Sequence, residues 1–266
     1  MKGDTHMICQ KIIDILQEQS PEQYACAWDN VGLLVGNPKK EVKTIYIALD
    51  ATEETILEAI EAKADMLLTH HPMIFKGLQK VNTEDFIGRR VIMLIQRDIS
   101  YYAMHTNFDV KGMAQLGAEQ MGLQECQVLD ITCQEEQGPQ GIGKVGMLPC
   151  EMTVVECARK VKEVFGLELV KIFGIPDQKV TKAAICPGSG KSVIRKAITA
   201  GAQVLITGDI DHHNGIDGAA QGLAIIDAGH YGVEKIFIPY MKQYLEAHTT
   251  GIKVIGQPEK QPFIYQ

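Results

Sequence analysis

Short runs of apolar residues alternate along this chain with stretches whose apolar positions recur at helical spacing. In "KTIYIALDATEETILEAIEAKADMLLTHHP" (residues 43–72) the pattern predicts a strand over Ile45–Leu49 and a second over Met66–Leu68. Between them a helix starts near Asp50–Glu53, where acidic residues in the first turn suit the helix dipole. Ile56, Leu57 and Ile60 supply its apolar stripe. A further helix ("TEDFIGRRVIMLIQRD") and strand ("ISYYAMH") continue the alternation. Strands that alternate with helices predict an α/β fold with a largely parallel sheet.

The stretch "TKAAICPGSGKSVIRKAITAGAQVLITGD" repeats this plan. At an offset of 138, residues 43–69 meet residues 181–207, and eight of the 27 positions are identical: Ile47/Ile185, Ile56/Ile194, Ala59/Ala197, Ile60/Ile198, Ala62/Ala200, Ala64/Ala202, Leu67/Leu205 and Thr69/Thr207. Most are core-type positions, so two unrelated βαβ units converging by chance is one explanation. Duplication is the other. It predicts two similar α/β domains with mixed, largely parallel sheets facing a central metal-binding cleft. The polar, glycine-rich stretch "GLQECQVLDITCQEEQGPQGIGKVG" reads as the break between them. The expected division is 1–125 plus 230–266 for the first domain and 126–229 for the second, with the tail's helix and strand ("IKVIG") returning to the first.

At 266 residues the chain is long enough for such an arrangement. Acidic residues outnumber basic ones, 33 to 26, and no Lys/Arg cluster stands out, which argues against nucleic acid as a partner. No apolar run approaches the ~20 residues that span a bilayer, so no membrane partner is expected. The N-terminal "MKGDTHMICQKIIDIL" lacks the apolar core and cleavage site of a signal peptide. Seven cysteines form no CxxC pair and read as free thiols of a reducing, cytoplasmic compartment.

One tempting motif fails. "PGSGKS" (187–192) resembles the end of a phosphate-binding loop, but GxxxxGK[ST] requires glycine where this chain has Ile185, inside a strand. The informative chemistry lies at other strand ends. His70 and His71 follow Met66–Leu68, and adjacent residues of an extended chain point to opposite sides, so the pair can reach two different ions. "HTNFD" offers His105 and Asp109 after the next strand. "LAIIDAGHYGVEK" ends in His230 and Glu234, whose i, i+4 spacing puts both on one helix face. Each group alone is more often structural; their recurrence at three strand ends points to metal. His70, His71, Asp109, His230 and Glu234 exceed what one tetrahedral ion needs. Imidazole with carboxylate and no thiolate fits two divalent ions of Zn, Fe, Mn, Ni or Co. Such a pair is suited to hydrolysis.

These residues carry a resemblance. "WDNVGLLVG" (28–36), "LLTHHPMIF" (67–75), "HTNFD" (105–109), "TGDIDHH" (207–213) and "IDAGHYGVE" (226–234), taken in order over essentially the whole chain, resemble the NIF-three-like proteins, also called GTP cyclohydrolase 1 type 2 homologues. The resemblance implies a dinuclear metal site with the same five ligands, two similar α/β domains and a homohexamer. It places His105 beside the metals and His213 in the same cleft, although "DHH" at 211–213 departs from an aromatic residue before that histidine. No inserted domain fits between Cys126 and Gly146. In "WDNVGLLVG", Asp29 or Asn30 either borders the substrate cleft or serves a turn into a strand.

Two functions stay open on this reading. The first is a metal-dependent hydrolase acting on a nucleotide or other small cyclic amide, with His105 or His213 shuttling protons. The second is a non-enzymatic metal-binding, metal-delivery or regulatory scaffold protein.

Overall fold

The computed structural model describes residues 7–264 and residue 266. Residues 1–6, within the segment read for a signal peptide, lie outside the described residues. The chain forms two compact units: one runs to Phe108 and adds Phe237–Lys260, the other comprises Asp109–Ile236 and Gln261–Gln266. Both are α/β, and each is built on its own mixed sheet.

The first unit holds β1 (Gly32–Val35), β2 (Thr44–Asp50), β3 (Met66–His71), β4 (Ser100–Ala103) and β11 (Lys253–Gly256) in the order β1-β4-β3-β2-β11. β3 pairs parallel with β2 and β4 on either side, β11 runs parallel to β2, and β1 closes the edge antiparallel to β4. Fully buried Ile45, Ile47, Leu67 and Leu68 make the central strands apolar on both faces. Each such side chain contributes about 1.5–3 kcal/mol over its exposed state. The helix Glu53–Glu61 begins at Thr52, whose hydroxyl accepts the amide of Thr55, with Glu53 and Glu54 in the first turn. Its buried face is Thr55, Ile56 and Ala59, and Leu57 is 54% exposed. The expected stripe was therefore one position wide of the mark: residues 56 and 57 lie 100° apart, and the shorter Ala59 completes the packed face.

The second unit holds β5 (Gln124–Glu135), β6 (Gly138–Thr153), β7 (Lys171–Phe173), β8 (Lys179–Ser189), β9 (Val204–Gly208) and β10 (Ala224–Asp227), ordered β5-β6-β8-β9-β10-β7. β8, β9 and β10 are parallel, and β7 lies antiparallel to β10. The repeat thus extends past one βαβ unit. The set β1 to β4 and the set β7 to β10 have the same order and the same directions, and the offset of 138 carries Met66, which opens β3, onto Val204, which opens β9.

Two expectations about the middle of the chain change. The polar stretch read as a break is a long antiparallel hairpin, β5 with β6, on the edge of the second sheet. An edge hairpin has less apolar surface to bury, so its strands read as loop. The sequence pattern divides the chain at 125/126 and 229/230, whereas the compact units divide at 108/109 and 236/237. The helix Ala114–Met121 belongs with the second unit because it packs on β6 and β8, with Gly117 close against Ile185. All seven cysteines are free thiols. Among the described residues no helix is long and apolar enough to cross a membrane.

Candidate metal centre

In the first unit, His70 and His71 are the last two residues of β3. Pairing with β4 stops at Thr69, whose hydroxyl donates to the His71 carbonyl, while β2 follows β3 to Asp50 opposite His71. The two imidazoles do not diverge as alternating strand residues would. Their centroids are 4.8 Å apart and the rings are tilted by 51°. His105 follows β4, with its ring 5.4 Å from that of His70 and 5.6 Å from that of His71. Ligand-capable nitrogens of the three lie within 4.8 Å of one another.

Each ring is held by its Nδ1. His70, fully buried, meets the Met104 carbonyl at 2.8 Å. His71 meets Asp50 Oδ1 at 2.9 Å, and His105 meets Asp29 Oδ1 at 2.9 Å. Carbonyl and carboxylate oxygens only accept, so Nδ1 must be the donor and Nε2 keeps its lone pair in the neutral ring. Asp29 is itself well anchored: Thr106 donates its amide and hydroxyl to Oδ2. Burial alone would raise the Asp29 pKa, but the hydrogen bonds from His105 and Thr106 and the His105 charge outweigh it, holding it at about 2.

In the second unit, His230 opens the short helix His230–Glu234, one residue after Gly229 at φ +73°. Asp227, at the end of β10, shapes that turn: its carboxylate accepts the amides of Gly229 and Ile210 and pairs with Lys171 at 2.7 Å. His230 Nδ1 meets Asp209 Oδ2 at 2.7 Å, while Nε2 lies 3.0 Å from Glu234 Oε2. Glu234 is only 3% exposed. Asp109 heads a π-helical turn, Asp109–Met113. Burial first, then the Asp109, Glu234 and Asp130 carboxylates, push up the pKa of the enclosed Cys186 thiol.

One glycine of the failed phosphate loop, and another at the end of β9, find their reason here. Gly188, at φ +76°, lies so close to Glu234 that an added Cβ would sit 2.4 Å from Oε1. At Gly208 a Cβ would be 2.5 Å from the His230 amide nitrogen. Both positions keep room for the His230–Glu234 turn.

Nitrogen and carboxylate oxygen, with no thiolate, are donors for a borderline divalent ion. Two donors bound at about 2.1 Å to one ion lie roughly 3 Å apart, the spacing of His230 Nε2 and Glu234 Oε2. Orienting a ligating histidine through its other nitrogen is the usual support of such sites. His213 is different: it is exposed on the helix His212–Ala220, packs edge-on against His212, and joins none of the metal-capable groups among the described residues. Sequence reading named the imidazoles but missed Asp50 and Asp209 as their supports. A signal existed for Asp209, since the offset of 138 places it opposite His71.

Comparison with known proteins adds lineage. The sequence profile of the Duf34/NIF3 (NGG1p interacting factor 3) family matches residues 7–262. A Clostridium perfringens protein named GTP cyclohydrolase 1 type 2 homolog is 35% identical over 256 residues, covering 95% of this chain and 97% of its own. Among solved structures, a Bacillus cereus protein related to NIF3 superposes with a TM-score of 0.91 at 26% identity, over 99% of this chain and 100% of its own. Reduced HcgD from Methanocaldococcus jannaschii superposes with a TM-score of 0.81 at 27% identity, over 94% of this chain and 98% of its own.

Proposed function

Because the chain belongs to the Duf34/NIF3 family, we propose that it binds two divalent metal ions through His70, His71, Asp109, His230 and Glu234 and hydrolyses a nucleotide or other small cyclic amide. The observation that carries the metal reading is His230, whose imidazole has a carboxylate at each nitrogen: Asp209 at 2.7 Å and Glu234 at 3.0 Å. A neutral ring has one N–H and can satisfy only one of them. A second proton on the ring or a cation shared by Nε2 and Oε2 satisfies both contacts, and the 3.0 Å spacing suits two donors of one ion.

Divalent metal bound there would polarise an attacked carbonyl and lower the pKa of water. The remaining work falls to the chain. His105, fixed by Asp29 with its proton on Nδ1, presents Nε2 as the atom that accepts and returns a proton. Asp29, ionised over the whole physiological range, holds that tautomer and stabilises the imidazolium that forms. Nothing beyond the family resemblance supports the same role for His213. GTP is the first substrate to assay, on the strength of the name its relatives carry.

A second reading is reversible metal holding or delivery without turnover. It is favoured by the partial exposure of the His71 and His230 side chains, which leaves them open to exchange. Self-association into a homohexamer rests on the family resemblance; an apolar groove of about 460 Å³ lined by Leu34, Ile74, Leu78 and Ile95 in the first unit offers a surface that another copy would cover.

The experiment is metal content per chain by mass spectrometry on gently purified protein, beside Glu234→Ala, with GTP turnover on the same samples. About two ions per chain, clearly fewer in the variant, and turnover lost with them is the expected result. Protein that takes up no added Zn, Fe or Mn sinks the metal reading. Full metal without hydrolysis of any nucleotide tested leaves the delivery reading.

A further inference from the structure

We propose that Trp28 and Phe75 form an aromatic rim that holds a flat heterocyclic ring of the substrate beside His105. This rests on the hydrolase reading above and supplies what that reading lacks, the groups that recognise the substrate.

Trp28 is the single tryptophan of the chain and is 63% exposed; Phe75 is 49% exposed. The Trp28 ring stands at 75° to the His105 imidazole with centroids 5.9 Å apart, and the Phe75 ring at 88° and 5.8 Å. His105 is therefore flanked by two near-perpendicular aromatic rings. The same imidazole touches His70 and His71, so a group bound at the rim lies within one ring contact of the metal-site histidines.

The backbone under both rings is fixed. Asp29, next to Trp28, takes the His105 and Thr106 donors. The side chain of Asn30 donates to the carbonyl of Ile74 at 2.6 Å, which ties the tryptophan segment to the residue before Phe75. On the other strand of that link, the Met73 amide donates to the Tyr101 hydroxyl at 2.9 Å. Neighbouring polar groups are thus used to anchor the chain, while the Trp28 and Phe75 rings face solvent. An anchored loop with exposed aromatic rings is pre-organised for a ligand, because little conformational freedom is lost when the rings are covered. What covers an aromatic face to best effect is another flat π-system. The substrate class is accordingly a small molecule with a planar nitrogen heterocycle whose reacting atom can reach His105 Nε2.

The sole tryptophan makes the test direct. Guanosine, adenosine and uridine are titrated into the full chain while Trp28 emission is followed, with ribose as the ring-free control and calorimetry for the variants that lack the indole. Metal content is measured on the same samples. At least one nucleoside is expected to quench Trp28 while ribose does not. Phe75→Ala and Trp28→Ala should each weaken binding roughly tenfold, within the range of base stacking on aromatic side chains, and Trp28→Phe should recover part of it. Metal content should be unchanged in all three variants. The proposal is overturned if no nucleoside quenches or binds, or if both alanine variants bind as tightly as wild type. A change of oligomeric mass in Phe75→Ala with no nucleoside binding also overturns it and assigns the rings to contact between copies. Quenching that persists in protein unable to hold metal would refute the metal reading and leave the rim standing.

Discussion

Gly188→Ala separates the two jobs that a glycine does at the metal centre. Its backbone sits at φ +76°, where an L side chain costs about 1–2 kcal/mol. Its second job is space. A new Cβ would lie 2.4 Å from Glu234 Oε1, while ordinary carbon–oxygen contact needs about 3.2 Å. The carboxylate must move by roughly 0.8 Å, as the end of a flexible side chain can, at little cost to folding. That shift takes Glu234 out of register with His230 Nε2, now 3.0 Å from Oε2. Loss of the groups that position a metal ligand typically costs about 10–100-fold in affinity, and a loss of that order is expected here. Gly222→Ala is the matched control: its φ is +84°, and nothing lies within 4 Å of the added Cβ. Both variants should therefore lose similar stability in denaturant titrations without metal. Only Gly188→Ala should lose affinity in competition with a coloured zinc chelator. Equal metal affinity in the two variants would refute the placement of Glu234 as a ligand held by close backbone approach.

Asp209→Asn keeps the shape beside His230 Nδ1 but removes the charge, and metal affinity should fall about 10–100-fold with small change in unfolding free energy, read by the same chelator competition. Asp29 has its folded-state pKa depressed to about 2, so its contribution is present above the unfolded value near 4 and is lost as pH falls through 2. Asp29→Asn should remove roughly 1–2 kcal/mol of that acid sensitivity after allowance for solvent screening, seen as a flatter dependence of urea midpoints between pH 5 and pH 2. Light scattering of wild type should give a mass about six times 29.3 kDa, and a monomer at micromolar concentration would contradict the hexamer.

The candidate ligands stand out in the sequence because each lies at the end of an apolar strand, and His230 and Glu234 by their helical spacing. Their supports do not. Asp29 orients a histidine 76 positions away, and Asp50 and Asp209 each act across 21, distances at which no periodicity connects two residues. The parallel strands were legible for the same reason as the ligands, being short and apolar on both faces. The hairpin β5–β6 was not, since edge strands mix exposed and half-buried positions and resemble a linker. The 4.8 Å approach of the His70 and His71 rings was hidden too, since strand alternation places neighbouring side chains on opposite faces.

The repeated halves explain why the candidate ligands are distributed as they are. Each half runs from a parallel strand into a second and then a third, and each third strand is followed by His-xxx-acid: His105 with Asp109, His230 with Glu234. The ends of the second strands have diverged. In the first half that position carries His70 and His71; at the offset of 138 the second half has Gly208 and Asp209. Gly208 leaves room for the backbone of His230, and Asp209 orients its ring. In the first half that strand end carries candidate donors, and in the second it supports the candidate donor His230. The first half cannot do both, since His71 occupies the place of the orienting acid. His105 draws its acid from Asp29 instead, in the segment that also carries Trp28. The dependence of His105 on Asp29 ties the orientation of that ring to the loop proposed to recognise the substrate.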